Sequence, residues 1–335
     1  MESALLPTEN NQELIPLSEP ARWQAALHDV PHAFGHTWEN CQAMHLTTGY
    51  PTFLYVWQSG EAKVICPLAE RTYQGCTDVV TPYGFSGFVG TDPFLDCLAD
   101  WHRFAVQAGY VCGYIGLNPV LTIQVALGAA DAFVTNRLYV MNLQLPVDEL
   151  YQQLSQNRKR VLKAFAKQEY SYSFSKVNLK PFFLAHYHAF FARKKAAATY
   201  NFSLSTLASL LASDRVLLIG YLEEREVKAV VVLAYTHHMG EYLFSLTLPG
   251  YEDHTTPLLW YGALHLKEKQ VPYLNLGGGA TPGDSIATFK QRFGAMDLPL
   301  TCLKQVYQES LYAALCTQAQ VDPADKQGYF PAYRR

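Results

Sequence analysis

The sequence predicts an α/β (α+β) protein of two similar units, each a mixed, mostly antiparallel sheet flanked by helices. Three observations carry this. The chain has 335 residues, more than one ordinary core, which favours two units of roughly 150 residues each. Apolar runs of strand length alternate with segments of helical period in both halves. Hydrophobic residues make up 49% and charged residues 16%, with 22 Tyr and 18 Phe, so the interior is rich in aromatics. The halves are expected at 1–147 and 148–317, with 318–335 a tail able to return to the first half.

Ser18, Glu19 and Pro20 mark the cap and first turn of a short helix bearing Trp23 and Leu27. In YPTFLYVWQSGEAKVICPLAER (50–71), β-branched and aromatic residues flank Ser59-Gly60, which reads as a hairpin. After the loop TPYGFSGFVG (81–90), helical periodicity runs from Pro93 to Gln107, and YVCGYIGL and RLYVMNLQL read as strands. Between Asp148 and Lys167, Leu150, Leu154, Val161 and Phe165 recur at helical spacing, interleaved with Arg158, Lys159, Arg160, Lys163 and Lys167. One amphipathic helix is expected there, linking the halves. NLKPFFLAHYHAFFARKKAAATYNFS gives a second helix, ending before Tyr200. RVLLIGYLEE, EVKAVVVLAY and GEYLFSLTL then form an antiparallel meander. Thr255 to Lys269 is helical, Val271 to Leu276 a strand, Asp284 to Phe293 a helix and LTCLKQVYQ a strand, before a short helix and a polar tail.

Bulk properties exclude several classes. A formal charge of -3 and a pI near 6.4 oppose nucleic-acid coating by bulk charge, and no DNA partner is expected. Seven scattered cysteines, never spaced C-x-x-C, favour reduced thiols and a cytoplasmic location. The N-terminus is acidic and proline-broken, unlike a signal peptide, and no apolar window approaches the ~18 residues of a membrane span. His186, His188, His237 and His238 lack the i,i+4 spacing of a helical zinc pair, so no metal is expected.

A meander whose last strand is followed by a helix and a strand allows a parallel crossover. That element order is the order of the GNAT acyltransferase fold. The first half has a blurred version of it, consistent with tandem duplication. TPYGFSGFVG at 81–90 and LNLGGGATPGDSIATFKQRFG at 274–294 together resemble the FemAB-like branch of the GNAT superfamily, as do NRKRVLKAFAK and ARKKAAATYNFS. The resemblance spans approximately residues 30 to 307. It implies two GNAT-like domains and transfer of an amino acid from aminoacyl-tRNA to an amine of a peptidoglycan precursor. The reaction needs an ester or thioester carbonyl ~3 Å from an attacking amine, with donors for the oxyanion. No tightly bound cofactor is expected, and neither a G-x-S-x-G motif nor a catalytic-cysteine signature is present.

Candidate site residues follow. Gly277, Gly278 and Gly279 match neither phosphate-binding glycine motif, which leaves a plain turn or a rim that lets substrate approach a strand end. Asp284 is a helix cap or first-turn residue by position and is also a candidate catalytic residue. The resemblance implies that Lys290, in FKQRF, contacts the acyl-donor ester or its adjacent phosphate as a catalytic cation, with Arg292 beside it. Their alternative is a solvated face opposite the i,i+4 pair Phe289 and Phe293. By the same resemblance Tyr83 and Gly84 line a cleft, and Arg193 and Tyr200 contact acceptor phosphates, a part that Lys194 or Lys195 could also take. The basic run 158–167 is either a solvated helix face or a contact for tRNA phosphates.

An ordinary CoA-binding GNAT carries R/Q-x-x-G-x-G/A after its fourth strand, whereas this chain has the acidic PGYEDHTTPLLWYG. Aminoacyl-tRNA is therefore preferred to acyl-CoA as donor. HTWENCQAM lacks a lysine for acceptor phosphates, and a UDP-linked cell-wall precursor is the default among small-molecule amine acceptors. The alternatives are a CoA-dependent N-acyltransferase on a sugar, amino acid or nucleotide-linked amine, and a non-catalytic GNAT-like binding module.

Overall fold

The structure, a computed structural model, describes residues 11–91, 97–166, 171–281 and 283–335. In chain order the strands are β1 (Asn11–Pro16), β2 (Thr52–Ser59), β3 (Ala62–Tyr73), β4 (Cys76–Val80), β5 (Val89–Gly90), β6 (Cys112–Gly116), β7 (Ala132–Asn142), β8 (Ser171–Ser173), β9 (Val216–Glu223), β10 (Glu226–Tyr235), β11 (Gly240–Thr247), β12 (Tyr273–Asn275) and β13 (Met296–Val306). The helices are α1 (Pro20–Leu27), α2 (Trp38–Thr48), α3 (Cys97–Gln107), α4 (Gln124–Leu127), α5 (Val147–Gln153), α6 (Gln156–Ala166), α7 (Lys176–Arg193), α8 (Leu204–Ala212), α9 (Thr255–Glu268), α10 (Ser285–Gln291) and α11 (Glu309–Gln318).

The chain divides into two compact units, one of residues up to Thr135 together with Leu300–Arg335, the other Asn136–Pro299. In the first, β1, β2, β3 and β4 pair antiparallel in succession, and the α3 crossover sets β6 parallel to β4, with Val79 opposite Gly113. The β2–β3 hairpin forms where expected, its turn made by Gly60 at φ 59°. Thr37 caps α2 by accepting from the Asn40 N–H, and Gly49 at φ 67° ends it. The core centres on Trp101, whose ring packs edge-on against Tyr55 at 4.8 Å. Of the helix expected from Pro93, residues 93–96 lie outside the described residues, and the rest is α3.

In the second unit β8, β9, β10 and β11 form an antiparallel run, and the α9 crossover sets β12 parallel to β11. Helices α6 and α9 pack together, and α9 also packs on β9, β10 and β11, as does α7. Each unit is completed by a strand that enters from the other part of the chain. Residues 140–142 of β7 pair antiparallel with β12, and residues 302–306 of β13 pair antiparallel with β6. The two halves thus repeat one GNAT-like topology, closed by exchanged strands. The units consequently divide the chain within β7, after Thr135, and within β13, before Leu300, rather than at residues 147 and 317, and α11 belongs to the first unit.

The single amphipathic helix expected over 148–167 is two helices. Leu154 is buried with ψ at 141°, which ends α5, and the Ser155 N–H donates to the Arg292 carbonyl at 3.0 Å instead of to a helical partner. Lys167 lies outside the described residues. Helix α8 was not anticipated; Ser203 caps it and Leu207, Leu210 and Leu211 are buried along one face.

The tail 318–335 ends against the first unit. Asp78 is fully buried and accepts from Arg71 Nε at 2.7 Å, Arg334 Nε at 2.8 Å and the Tyr333 hydroxyl at 3.0 Å. Removing the carboxylate leaves two guanidinium groups without their counter-charge. Asp78→Ala is therefore expected to lose about 3–5 kcal/mol of unfolding free energy in urea titrations; a loss below about 1 kcal/mol would show that the cluster does not hold the tail.

Candidate active site

β11 is eight residues long and β12 three, and their parallel pairing covers only Gly240 with Leu274 and Glu241 with Asn275. The chain after β12 stays with β7: the Leu276 N–H donates to the Tyr139 carbonyl at 2.8 Å, and the Tyr139 N–H to the Gly277 carbonyl at 3.2 Å. From Tyr242 to Thr247, β11 consequently pairs with β10 and has left β12. A bulge adds to the divergence. Leu233 faces Tyr242 and Val232 faces Phe244, so Leu243 is an extra residue that re-aims the strand at the opening of the fork.

The three glycines form the turn at this fork. Asn275 Oδ1 accepts from the Gly277 N–H at 2.8 Å, and Gly277 takes φ 77°. A Cβ on Gly278 would lie 2.5 Å from the Arg137 carbonyl oxygen, and one on Gly279 would lie 2.5 Å from Asp284 Oδ1. The space beside Gly278 and Gly279 is thus taken by the chain itself. A side chain at either position would collide with the chain itself, which is why both are glycine.

Asp284 is the N-cap of α10. Its Oδ1 accepts from the Ala287 N–H at 2.7 Å, and its Oδ2 from the N–H groups of Ala280 at 2.7 Å and Thr281 at 3.0 Å. These bonds, Ala287's foremost, hold its carboxyl below the usual carboxylate range. The geometry gives Asp284 the task of tying the glycine turn to α10.

That tie aims Lys290. Phe289 and Phe293 pack against each other at 5.4 Å and against the unit's core, which leaves Lys290 on another face of the short helix. Half-buried, its Nζ donates to the Gly278 carbonyl at 2.6 Å and lies 5.9 Å from the centre of the Tyr242 ring. Burial brings its pKa down to about 8, against the opposing pull of the Asp284 charge. The solvated-face alternative does not describe this lysine. Tyr242, which the sequence did not single out, is pushed up to about 12 by burial, with a Ser245 hydrogen bond acting the other way.

Arg193 reaches the far end of the same strand, where its Nη2 donates to the Thr247 carbonyl at 3.1 Å. Tyr200 stacks on Phe191 at 5.4 Å, and its carbonyl accepts from the Tyr187 hydroxyl at 2.9 Å. Lys290 and Arg193 therefore stand at the two ends of the diverging stretch of β11, five residues or roughly 17 Å of strand apart. Lys194 and Lys195 follow Arg193, both exposed.

Arg292 is exposed at the end of α10. Arg158 belongs to the basic run but is buried: it donates to Thr256 Oγ1 at 2.6 Å and to the Phe289 carbonyl at 3.3 Å, with its guanidinium 4.1 Å from the Phe289 ring centre. Burial, helped by the Arg292 charge, lowers its pKa to about 10. The idea that the whole run meets phosphates fails for Arg158, whereas Arg160 and Lys163 are exposed.

Tyr83 and Gly84 belong to the first unit. Asn40 Nδ2 donates to the Tyr83 carbonyl at 3.0 Å, the ring is 39% exposed, and Gly84 adopts φ 134° with a would-be Cβ 3.2 Å from Gly35 Cα. Their loop is held to the start of α2 by its backbone. Among the described residues no group of His, Cys, Asp and Glu is arranged to hold a metal. His188, for one, binds the Phe202 carbonyl through Nε2 at 2.9 Å.

The Lys290 environment sets a pH signature. A folded pKa near 8 against an ordinary 10.5 means that, between those values, the unfolded chain holds a proton that the folded chain has released. Stability therefore rises with pH through that window, and the cost of burying the cation is present in full below it. In paired thermal melts Lys290→Met is expected to gain on the wild type below pH 8 and to lose that advantage by pH 10; a pH-independent difference would mean that Lys290 is not desolvated.

No family model and no curated protein matches this sequence. Among solved structures, FemX superposes with a TM-score of 0.70 at 12% identity, over 91% of this chain and 99% of FemX. The C-terminal domain of an Agrobacterium fabrum protein described as a lysylphosphatidylglycerol synthetase gives 0.56 at 14% identity, over 90% of this chain and 96% of that domain. L-PGS from Bacillus licheniformis gives 0.55 at 12% identity, over 86% of this chain and 92% of the other. At such identities the likeness is one of fold. The chain has the FemX-like fold of two GNAT-like domains; of its candidate residues, Lys290, Asp284, Arg193 and the glycine turn lie about the fork of the second, and Tyr83 and Gly84 lie in the first.

Proposed function

We propose that the protein is an acyltransferase that carries an aminoacyl group from aminoacyl-tRNA to an amine acceptor, by default a peptidoglycan precursor. The observation that supports this most is the diverging stretch of β11 with the half-buried ammonium of Lys290 at its mouth. A diverging strand offers backbone groups to an extended donor, as sheet edges do for peptides. In the reaction the acceptor nitrogen attacks the ester carbonyl, the C–N bond forms, the C–O bond to the ribose breaks, and a proton leaves the nitrogen. A cation at the fork stabilises the oxyanion and then the departing alkoxide, and the low-dielectric setting that depresses its pKa strengthens that effect. The fold likeness to FemX and to lysylphosphatidylglycerol synthetases, the latter named for a lysyl group on a lipid, fits an aminoacyl donor.

An acyl-CoA donor fits less well. The Gly250 N–H, at the place where a CoA-binding loop presents amides to pyrophosphate, donates to Glu252 of its own chain at 2.9 Å, and Asp253 adds a second negative charge. A pyrophosphate would meet like charge there.

Purified protein incubated with labelled aminoacyl-tRNAs and cell-wall precursors is expected to yield an aminoacylated product by mass spectrometry, abolished by RNase. Product formed from acyl-CoA and insensitive to RNase would replace the tRNA donor with CoA; no product from either would favour a binding module. Lys290→Ala is expected to lower kcat by about 10²–10³-fold while leaving the melting profile cooperative. Unchanged turnover would remove Lys290 from the chemistry.

A further inference from the structure

We propose that the first unit carries a second site, a pocket for a small zwitterion the size of an apolar amino acid or dipeptide, with the Gln305 amide as its floor. The site is independent of the transfer reaction. A cavity of about 440 Å³, lined by His102, Asp131, Phe133, Gln305, Glu309 and Lys326, opens beside the end of β13. Its size is within the range of small-molecule sites, roughly 300–1,000 Å³.

Gln305 is only 6% exposed, and its orientation is set by chemistry. The Trp101 indole N–H can only donate; it is shared between the Gln305 amide oxygen at 2.9 Å and the Tyr307 hydroxyl at 3.0 Å, and an amide nitrogen in the oxygen's place would set donor against donor. The Tyr307 hydroxyl donates to the same oxygen at 3.0 Å. With the oxygen held by two donors, the amide nitrogen faces the other way, and it has no hydrogen-bond partner among the described residues. Two N–H donors on a nearly buried side chain are thus presented to the cavity. Leaving such donors unmet is costly unless a ligand or water accepts from them.

The surrounding wall is built in turn by Lys304. Only 3% exposed, it donates through Nζ to the carbonyls of Lys326 at 2.5 Å and Gly328 at 2.9 Å, which fixes the segment that brings Lys326 to the rim. Its ammonium also lies 5.3 Å from the centre of the Phe133 ring. The lining offers both signs of charge. A carboxylate accepts from the Gln305 amide and pairs with Lys326; an ammonium pairs with Asp131 or Glu309; Phe133 covers an apolar side chain.

Isothermal titration of the full chain with L-leucyl-L-alanine, its N-acetyl form and its C-terminal amide tests this. The zwitterion is expected to bind, with each blocked form at least tenfold weaker. Gln305→Glu keeps an oxygen for Trp101 and Tyr307 but replaces the donors with a second oxygen, and is expected to weaken binding at least tenfold. Lys326→Ala, outside the core, is expected to do the same, and it decides the matter should Gln305→Glu fail to fold. No heat at millimolar dipeptide, equal affinity for the blocked forms, or wild-type affinity in both variants would overturn the site.

Discussion

Two residue pairs of parallel pairing join β11 to β12, and the candidate active site follows from where that pairing stops. β12 departs because β7 captures it on its other side and because Gly277 turns, with Asn275 holding the turned N–H. The turn brings the Gly278 carbonyl to Lys290 and lets Asp284 bind two loop N–H groups while it caps α10. Removing any one of these contacts loosens the next, since the loop, the helix and the lysine share them. Geometry of this kind is what catalysis by preorganised charge requires, because the cation need not be reoriented when the oxyanion forms.

The buried charges of the two units are managed in different ways. In the first, Asp78 gathers two arginines and a tyrosine, a closed cluster whose members compensate one another. In the second, Arg158 is buried against aromatic rings and neutral acceptors, and Lys290 against a carbonyl and a tyrosine ring. Both have depressed pKa values as a result. Arg158 donates to Thr256 and Phe289 through its two terminal nitrogens, whereas Lys290 stands at the fork itself.

Local chemistry was legible in the sequence. Alternating apolar runs located the β9–β10–β11 meander, Ser59-Gly60 the first hairpin, and Asp284 the start of α10, because each signal is confined to a few neighbouring residues. Strand exchange was not, since the pairing of β13 with β6 joins residues nearly two hundred positions apart and leaves no mark on local periodicity. The glycines read as punctuation, but their reasons, the Arg137 carbonyl and the Asp284 carboxylate, are contacts that only the fold supplies. Arg158 looked like its basic neighbours, and only the packing of Phe289 over it distinguishes it. Tyr242 carried no signal, being one aromatic in an aromatic strand.

In the proposed reaction an acyl donor lies along the diverging stretch of β11 with its carbonyl near Lys290. The most direct measurement is a crystal structure of the protein with a stable amide analogue of the aminoacylated tRNA 3′ terminus. The analogue is expected to lie extended beside Tyr242–Thr247, its acyl oxygen within hydrogen-bond reach of Lys290 Nζ. An analogue bound away from β11, or seated there with its acyl oxygen beyond hydrogen-bond reach of Lys290 Nζ, would overturn it.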